Sequence, residues 1–218
     1  MNVADLFAEP KGSGLRLEHL CAGAMVLRGF AADEGAGLLE ELAAIVRHAP
    51  FRHMVTPGHY RMSVGMTNCG RLGWVSDRRG YRYDEKDPES DKRWPAMPQA
   101  FERFASAAAA RAGYFGFFPD ACLVNCYQPG TRLTLHQDKN ERDFDQPIVS
   151  VSLGLPAIFQ FGGSERSARA LRVPLAHGDV VVWGGPARMR YHGVLPIENG
   201  THPATGACRI NLTFRHAG

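Results

Sequence analysis

No stretch of this chain approaches 18 uninterrupted apolar residues, and residues 1–14 carry no basic segment leading into an apolar one. Neither a membrane span nor a secretion signal is expected. Cysteine is sparse and odd in number. Cys21, Cys69, Cys122, Cys126 and Cys208 contain no C-x-x-C, which excludes a disulfide framework and reads as reduced thiols in a cytoplasmic protein. Net charge is also small, +3, so bulk electrostatics alone give little support to a nucleic-acid partner. Repeats and low-complexity tracts are lacking apart from an alanine run at 107–110.

What is present favours β-structure. The 218 residues are 44% hydrophobic, enough for one good core, and 24 glycines and 14 prolines imply many turns. Residues 25–30 read as a short strand. Ala36, Leu39, Leu42, Ala43 and Val46 recur at three- and four-residue steps after Asp33, a candidate N-cap, and predict an amphipathic helix. A second helix starts at Pro98, buries Phe101, Phe104, Ala105, Ala108 and Ala112, and stops at Gly113. Residues 52–94 show no sustained period and read as short hairpins and mobile loops. From Cys122 onward come eight short β-like runs: 123–127, 133–137, 148–155, 157–161, 170–174, 179–183, 191–195 and 209–214. Pro129-Gly130, Gly162-Gly163, Gly184-Gly185-Pro186 and similar breakers separate them. The predicted class is mostly β (α+β): a double-sheet jelly roll over 120–218 with flanking N-terminal helices. Residues 1–14 are expected to form a loose tail, and 15–218 one domain.

The chemistry sits in this β-half. His136 and Asp138 are two apart, so on a strand they share a face, with Gln137 pointing away. His192 lies between the glycines at 184–185 and the final run. H-x-D alone is a cheap pattern. Two imidazoles and one carboxylate suit iron(II) with an open face, and they suit catalytic zinc as well. The final run separates the two. Arg209, Asn211, Thr213 and Arg215 alternate with Ile210, Leu212 and Phe214. A solvent-facing sheet shows the same alternation. Facing inward, two arginines would be costly unless an anion met them, and a dicarboxylate cosubstrate would. Asn125 and Tyr127 likewise share a face, with Cys126 opposite. Between Gly58 and Arg82 stand Arg61, Arg71, Arg78, Arg79 and Arg82 against one acid, Asp77, with Tyr60, Trp74 and Tyr81 interleaved.

Longer stretches carry a resemblance. Residues 51–58 (FRHMVTPG), 62–74, 94–99 (WPAMPQ), 147–163, 177–185 and 209–215 resemble the AlkB family of Fe(II)/2-oxoglutarate-dependent nucleic-acid demethylases, over most of the chain from about Met25. The resemblance implies a double-stranded β-helix core and a nucleotide-recognition hairpin or lid at about 50–95. It implies iron(II) held by His136, Asp138 and His192, with 2-oxoglutarate and O2 as cosubstrates. Arg215 is then counted with the catalytic triad, and 2-oxoglutarate meets Asn125, Tyr127, Arg209, Asn211, Thr213 and Arg215, with Cys126 inside the N-x-Y run. The two arginines are expected to act together on its distal carboxylate. Trp74, Tyr81 and His192 would shape the damaged-base pocket, with Arg82, Tyr83, Asn140 and Arg166 on the substrate side. The implied reaction is demethylation of 1-methyladenine or 3-methylcytosine in single- or double-stranded DNA and in RNA, by a monomer. One departure stands out: the family usually has an acid where this chain has Asn140, whose carbonyl can still accept, and Glu141 is a candidate for restoring the charge. Alternatives are a hydroxylase acting on a protein or small molecule, a metal-free nucleic-acid module and a zinc hydrolase.

Overall fold

A computed structural model of the protein describes residues 16–218, so the expected tail at 1–14 lies outside the described residues. Its hub is the last strand. β13 (Arg209–Arg215) is buried at all seven positions and runs antiparallel between β6 (Ala121–Tyr127) and β8 (Ile148–Gly154). Ile210, Leu212 and Phe214 enter an apolar cluster beneath two helices. The four polar residues, alternating with them, face the other way.

β13 is central in a seven-stranded sheet ordered β1 (Arg16–Cys21), β2 (Ala24–Arg28), β11 (Val180–Trp183), β8, β13, β6 and β3 (Gly65–Gly70). A second sheet is ordered β10 (Leu171–Leu175), β9 (Ala157–Phe161), β12 (His192–Val194) and β7 (Leu133–His136). Val26, Ile148, Phe159, Phe161, Val181, Trp183 and Val194 share a cluster drawn from both sheets. Two antiparallel sheets of short strands sharing one core make the expected jelly roll. The outer face of the large sheet is covered by α1 (Gly35–His48) and α2 (Gln99–Arg111), through Leu38, Leu42, Ile45, Phe101, Phe104, Ala105 and Ala108. Each large apolar side chain buried this way contributes about 1.5–3 kcal/mol. β4 (Gly73–Asp77) and β5 (Gly80–Asp84) form a separate hairpin.

The structure departs from the sequence reading in several places. α1 is capped by Glu34, with no side-chain bond to the first turn, and Asp33 lies one residue outside. β7 stops at His136, so Asp138 sits beyond the strand end and not on a shared strand face. The segment 52–94 contributes β3 to the large sheet. Gly65–Gly70 is buried throughout, so it shows no polar–apolar alternation. The polar run at 84–93 forms an anchored turn: Asp87 donates its backbone N–H to Lys92 O at 2.8 Å and its carboxylate pairs with Arg52. Among the described residues no helix is long and apolar enough to cross a membrane.

Candidate metal and cosubstrate site

His136 and His192 face each other across the β7–β12 ladder, with ring centroids 4.4 Å apart. The approach is close enough that a Cβ on Gly193 would lie 2.7 Å from Leu133 O, so only glycine fits there. Nδ1 of His136 is 2.9 Å from Thr134 O, and Nδ1 of His192 is 3.1 Å from Arg190 O. A carbonyl only accepts, so each Nδ1 carries the proton and each Nε2 offers a lone pair. Asp138, just past β7, places Oδ1 3.7 Å from His136 Nε2 and Oδ2 3.7 Å from His192 Nε2. These gaps are too long for hydrogen bonds. All three ligand atoms lie within 4.8 Å of one another. Burial, with His136 alongside, pushes the His192 imidazole down to about 3, so it is neutral at pH 7. Burial opposes the charge on Asp138, yet Arg215 and the two imidazoles hold its carboxyl well below the usual carboxylate range. Two imidazoles and an ionised carboxylate around a common gap fit a divalent transition metal.

The two arginines of β13 occupy different settings. Arg215 donates Nε (2.9 Å) and Nη2 (2.6 Å) to Oδ2 of Asp138, and its Nε lies 3.3 Å from Glu141 Oε1. Glu141 also accepts from the Tyr83 hydroxyl at 2.7 Å and sits 3.0 Å from Arg188 Nη2. Arg188 Nη1 donates to Asp138 O at 2.8 Å. Arg209, only 1% exposed, donates Nη2 to Ser152 Oγ at 2.9 Å and rests over the Tyr127 ring at 5.0 Å. Its Nε and Nη1 have no partner, nor has Oδ1 of Asn125. A buried guanidinium with two idle donors is expensive unless an acceptor fills the space, and a carboxylate matches that fork. Asn125, Asn211, Thr213 and Ser150 line the same face through mutual hydrogen bonds, and Ser152 joins them by accepting from Arg209. The residues present therefore fit an anionic cosubstrate beside a metal. They divide the expected joint arginine clamp, since Arg215 is already committed to Asp138 and Glu141.

Cys126 is not a lining side chain. It packs with the helix-side cluster, opposite Asn125 and Tyr127, and lies beside Cys208; burial and that neighbour push its thiol up to about 12. Ser150 and Ser152 were missed by the sequence reading, although their alternation with Val149, Val151 and Leu153 was legible. Arg188, distant in sequence, gave no local signal.

The substrate-side residues divide as well. Trp74 and Tyr81 stack with centroids 5.7 Å apart and planes 15° apart. Asn140 joins them, accepting from Trp74 Nε1 at 3.2 Å and donating to Tyr81 O at 3.4 Å. One of the two lone pairs of its carbonyl is thus already engaged. Glu141 does not restore a charge at the pocket, because it is enclosed by Tyr83, Arg188 and Arg215. Tyr83 points its hydroxyl inward to Glu141, and Arg82 is held by both oxygens of Asp77 at 2.9 Å each. Arg166 is exposed in the turn between β9 and β10.

The comparisons agree with this geometry. Residues 23–215 match the model of the 2OG-Fe(II) oxygenase superfamily. The alpha-ketoglutarate-dependent dioxygenase AlkB of Escherichia coli (strain K12) is 55% identical over 216 residues, which cover 99% of each chain. The DNA N(6)-methyladenine demethylase ALKBH1C of Arabidopsis thaliana is 32% identical over 170 residues, 66% of this chain and 37% of its own. The solved structure of OsALKBH1 superposes with a TM-score of 0.81 at 27% identity, covering 92% of this chain and all of that one. Ligand set, anion slot, jelly roll and full-length likeness converge: the chain belongs to the AlkB family of Fe(II)/2-oxoglutarate-dependent dioxygenases.

Proposed function

We propose that the protein removes methyl groups from the base-pairing nitrogens of nucleic-acid bases, 1-methyladenine and 3-methylcytosine in DNA and in RNA. The observation that carries the reading is the stacked Trp74–Tyr81 pair, tied by Asn140 to the loop that bears Asp138. Stacking on aromatic faces suits any extruded base, and a base that cannot pair costs less to extrude. A nucleobase makes use of this pair, and a nucleic-acid backbone of the exposed Arg61 and Arg78 in the same segment of chain, which ranks it above a protein or small-molecule substrate. Exposed guanidinium groups of this kind suit phosphates. Arg71 and Arg82 are tied to Asp120 and Asp77.

In this reading His136, Asp138 and His192 hold iron(II). Arg209, with Asn125 and Tyr127 beside it, receives the distal carboxylate of 2-oxoglutarate. Iron(II), 2-oxoglutarate and O2 supply the oxidation that hydroxylates the N-methyl carbon as 2-oxoglutarate becomes succinate and carbon dioxide. The hydroxymethyl amine then loses formaldehyde and leaves the restored N–H. The protein's share is placement and dryness. Arg215 orients Asp138, the Thr134 and Arg190 carbonyls fix the imidazole tautomers, and Trp183 and Phe159 pack against His192.

The test is release of formaldehyde and succinate in equal amounts from oligonucleotides carrying 1-methyladenine or 3-methylcytosine, with iron(II), ascorbate and 2-oxoglutarate. His136→Ala is expected to abolish both. Succinate without formaldehyde across the panel would refute the substrate assignment and keep the cofactor chemistry.

A further inference from the structure

One buried carboxylate has no task in the reading above. The Glu141 side chain is 1% exposed, and burying such a charge is costly unless partners offset it. Its partners are the Tyr83 hydroxyl, Arg188 and Arg215. Arg215 in turn grips Oδ2 of Asp138. An unbroken line of contacts therefore runs from Tyr83 through Glu141 and Arg215 to Asp138. Tyr83 lies on β5, directly across from Trp74 on β4. Asn140, in the same loop as Asp138 and Glu141, bridges Trp74 and Tyr81. The hairpin belongs to neither large sheet, so side-chain contacts of this kind help to fix where it sits.

Arg215 is shared between two carboxylates. Held by Glu141, it gives both donors to one oxygen of Asp138 and leaves Oδ1 toward His136. Freed from Glu141, its planar fork can close on both oxygens of Asp138, the preferred bidentate geometry, and so compete with a cation for that carboxylate. A shift of the hairpin that loosens Tyr83 from Glu141 moves the balance between these two arrangements.

We infer that Tyr83 and Glu141 are positioning residues that couple docking of the β4–β5 hairpin on a nucleobase to the strength with which Asp138 holds its metal. The inference rests on the nucleic-acid reading given above. Binding linkage makes the coupling reciprocal: what tightens the metal on base binding also tightens the base on metal binding.

Manganese(II), which is spectroscopically countable, is the probe. The affinity of the full chain for Mn(II), with 2-oxoglutarate present and oxygen excluded, is measured by electron paramagnetic resonance with and without a saturating single strand carrying 1-methyladenine. The ratio of the two affinities is the readout. For the wild type we expect the oligonucleotide to tighten Mn(II) about 5- to 10-fold. Tyr83→Phe, which removes only the hydroxyl, should bring the ratio below about twofold. Glu141→Gln should do the same and also weaken Mn(II) without oligonucleotide. A merely structural role would weaken both affinities and keep their ratio. A wild-type ratio in Tyr83→Phe overturns the inference, as does wild-type oligonucleotide binding with no change in Mn(II) affinity. Failure of the wild type to bind the oligonucleotide at all would overturn the substrate reading and this inference together.

Discussion

At the scale of single residues, the two arginines of β13 differ by their neighbours alone. They lie on one face of one strand, six positions apart, which separates their Cα atoms by about 20 Å at ~3.3 Å per residue. Alternation says which face a residue takes but not what waits there. Arg215 meets two carboxylates and Arg209 meets none. Opposite effects are therefore expected on substitution. Arg209→Met removes a buried, half-satisfied charge, so the metal-free protein should melt no lower than wild type, while KM for 2-oxoglutarate rises about a hundredfold, the cost of losing a buried charged partner. Arg215→Met leaves the buried Asp138 without its guanidinium, takes from Glu141 one of its two arginines, and should destabilise by about 3–5 kcal/mol. Thermal melts with and without 2-oxoglutarate distinguish the pair, and a lowered melting temperature in metal-free Arg209→Met would count against the anion slot. Asn140 makes the same point. Its identity was plain in the sequence, whereas the commitment of its amide to Trp74 and Tyr81 depends on where the hairpin lies.

At the scale of elements, the reading of β13 as a strand was sound because its seven residues alternate strictly: three apolar positions for the helix-side core and four polar ones on the opposite face. β3 was hidden for the opposite reason. A strand buried on both faces has no alternation to read, and its glycines resemble loop punctuation. The metal pair illustrates a third case. His136-x-Asp138 looked like one strand face, yet β7 ends at the histidine and the carboxylate arrives from the following loop. What aligns the two imidazoles is the tight β7–β12 crossing at Gly193. In Gly193→Ala the added carbon would press on Leu133 O and drive the strands apart. We expect Mn(II) affinity to fall at least about tenfold, one step of ~1.4 kcal/mol, with the slot residues of β13 untouched. An unchanged Mn(II) titration would show that the crossing does not set the ligand geometry.

At the scale of the whole molecule, site and core are the same construction. The slot is on the polar face of a central strand of the large sheet; the two metal-binding imidazoles come from the small sheet that packs over it, and Asp138 comes from the loop that follows β7. Filling the site should therefore stabilise the fold as a unit. Ligands at about a hundred times their Kd add ~2.7 kcal/mol, worth about 5–10 °C in a chain of this size. Mn(II) with 2-oxoglutarate should raise the melting temperature by at least that amount in the wild type, and Mn(II) should contribute nothing in His136→Ala. An equal rise in the variant would mean that the ion binds elsewhere.

Composition and periodicity by themselves determined the class of architecture, both helices and most strands of the jelly roll, and the family resemblance of longer stretches supplied the set of side chains expected to bind a metal and an anion. Those properties are local: a burial pattern and a residue's chemistry are written within a few positions of chain. Tertiary structure alone decided the pairings. It chose which arginine meets no carboxylate of the protein, that Glu141 lies buried beneath Tyr83 and not at the pocket, and that a loop carries Asp138 to two histidines. Each of these depends on residues brought together from distant parts of the chain, and electrostatic and hydrogen-bond energies act over only a few ångströms of that final packing.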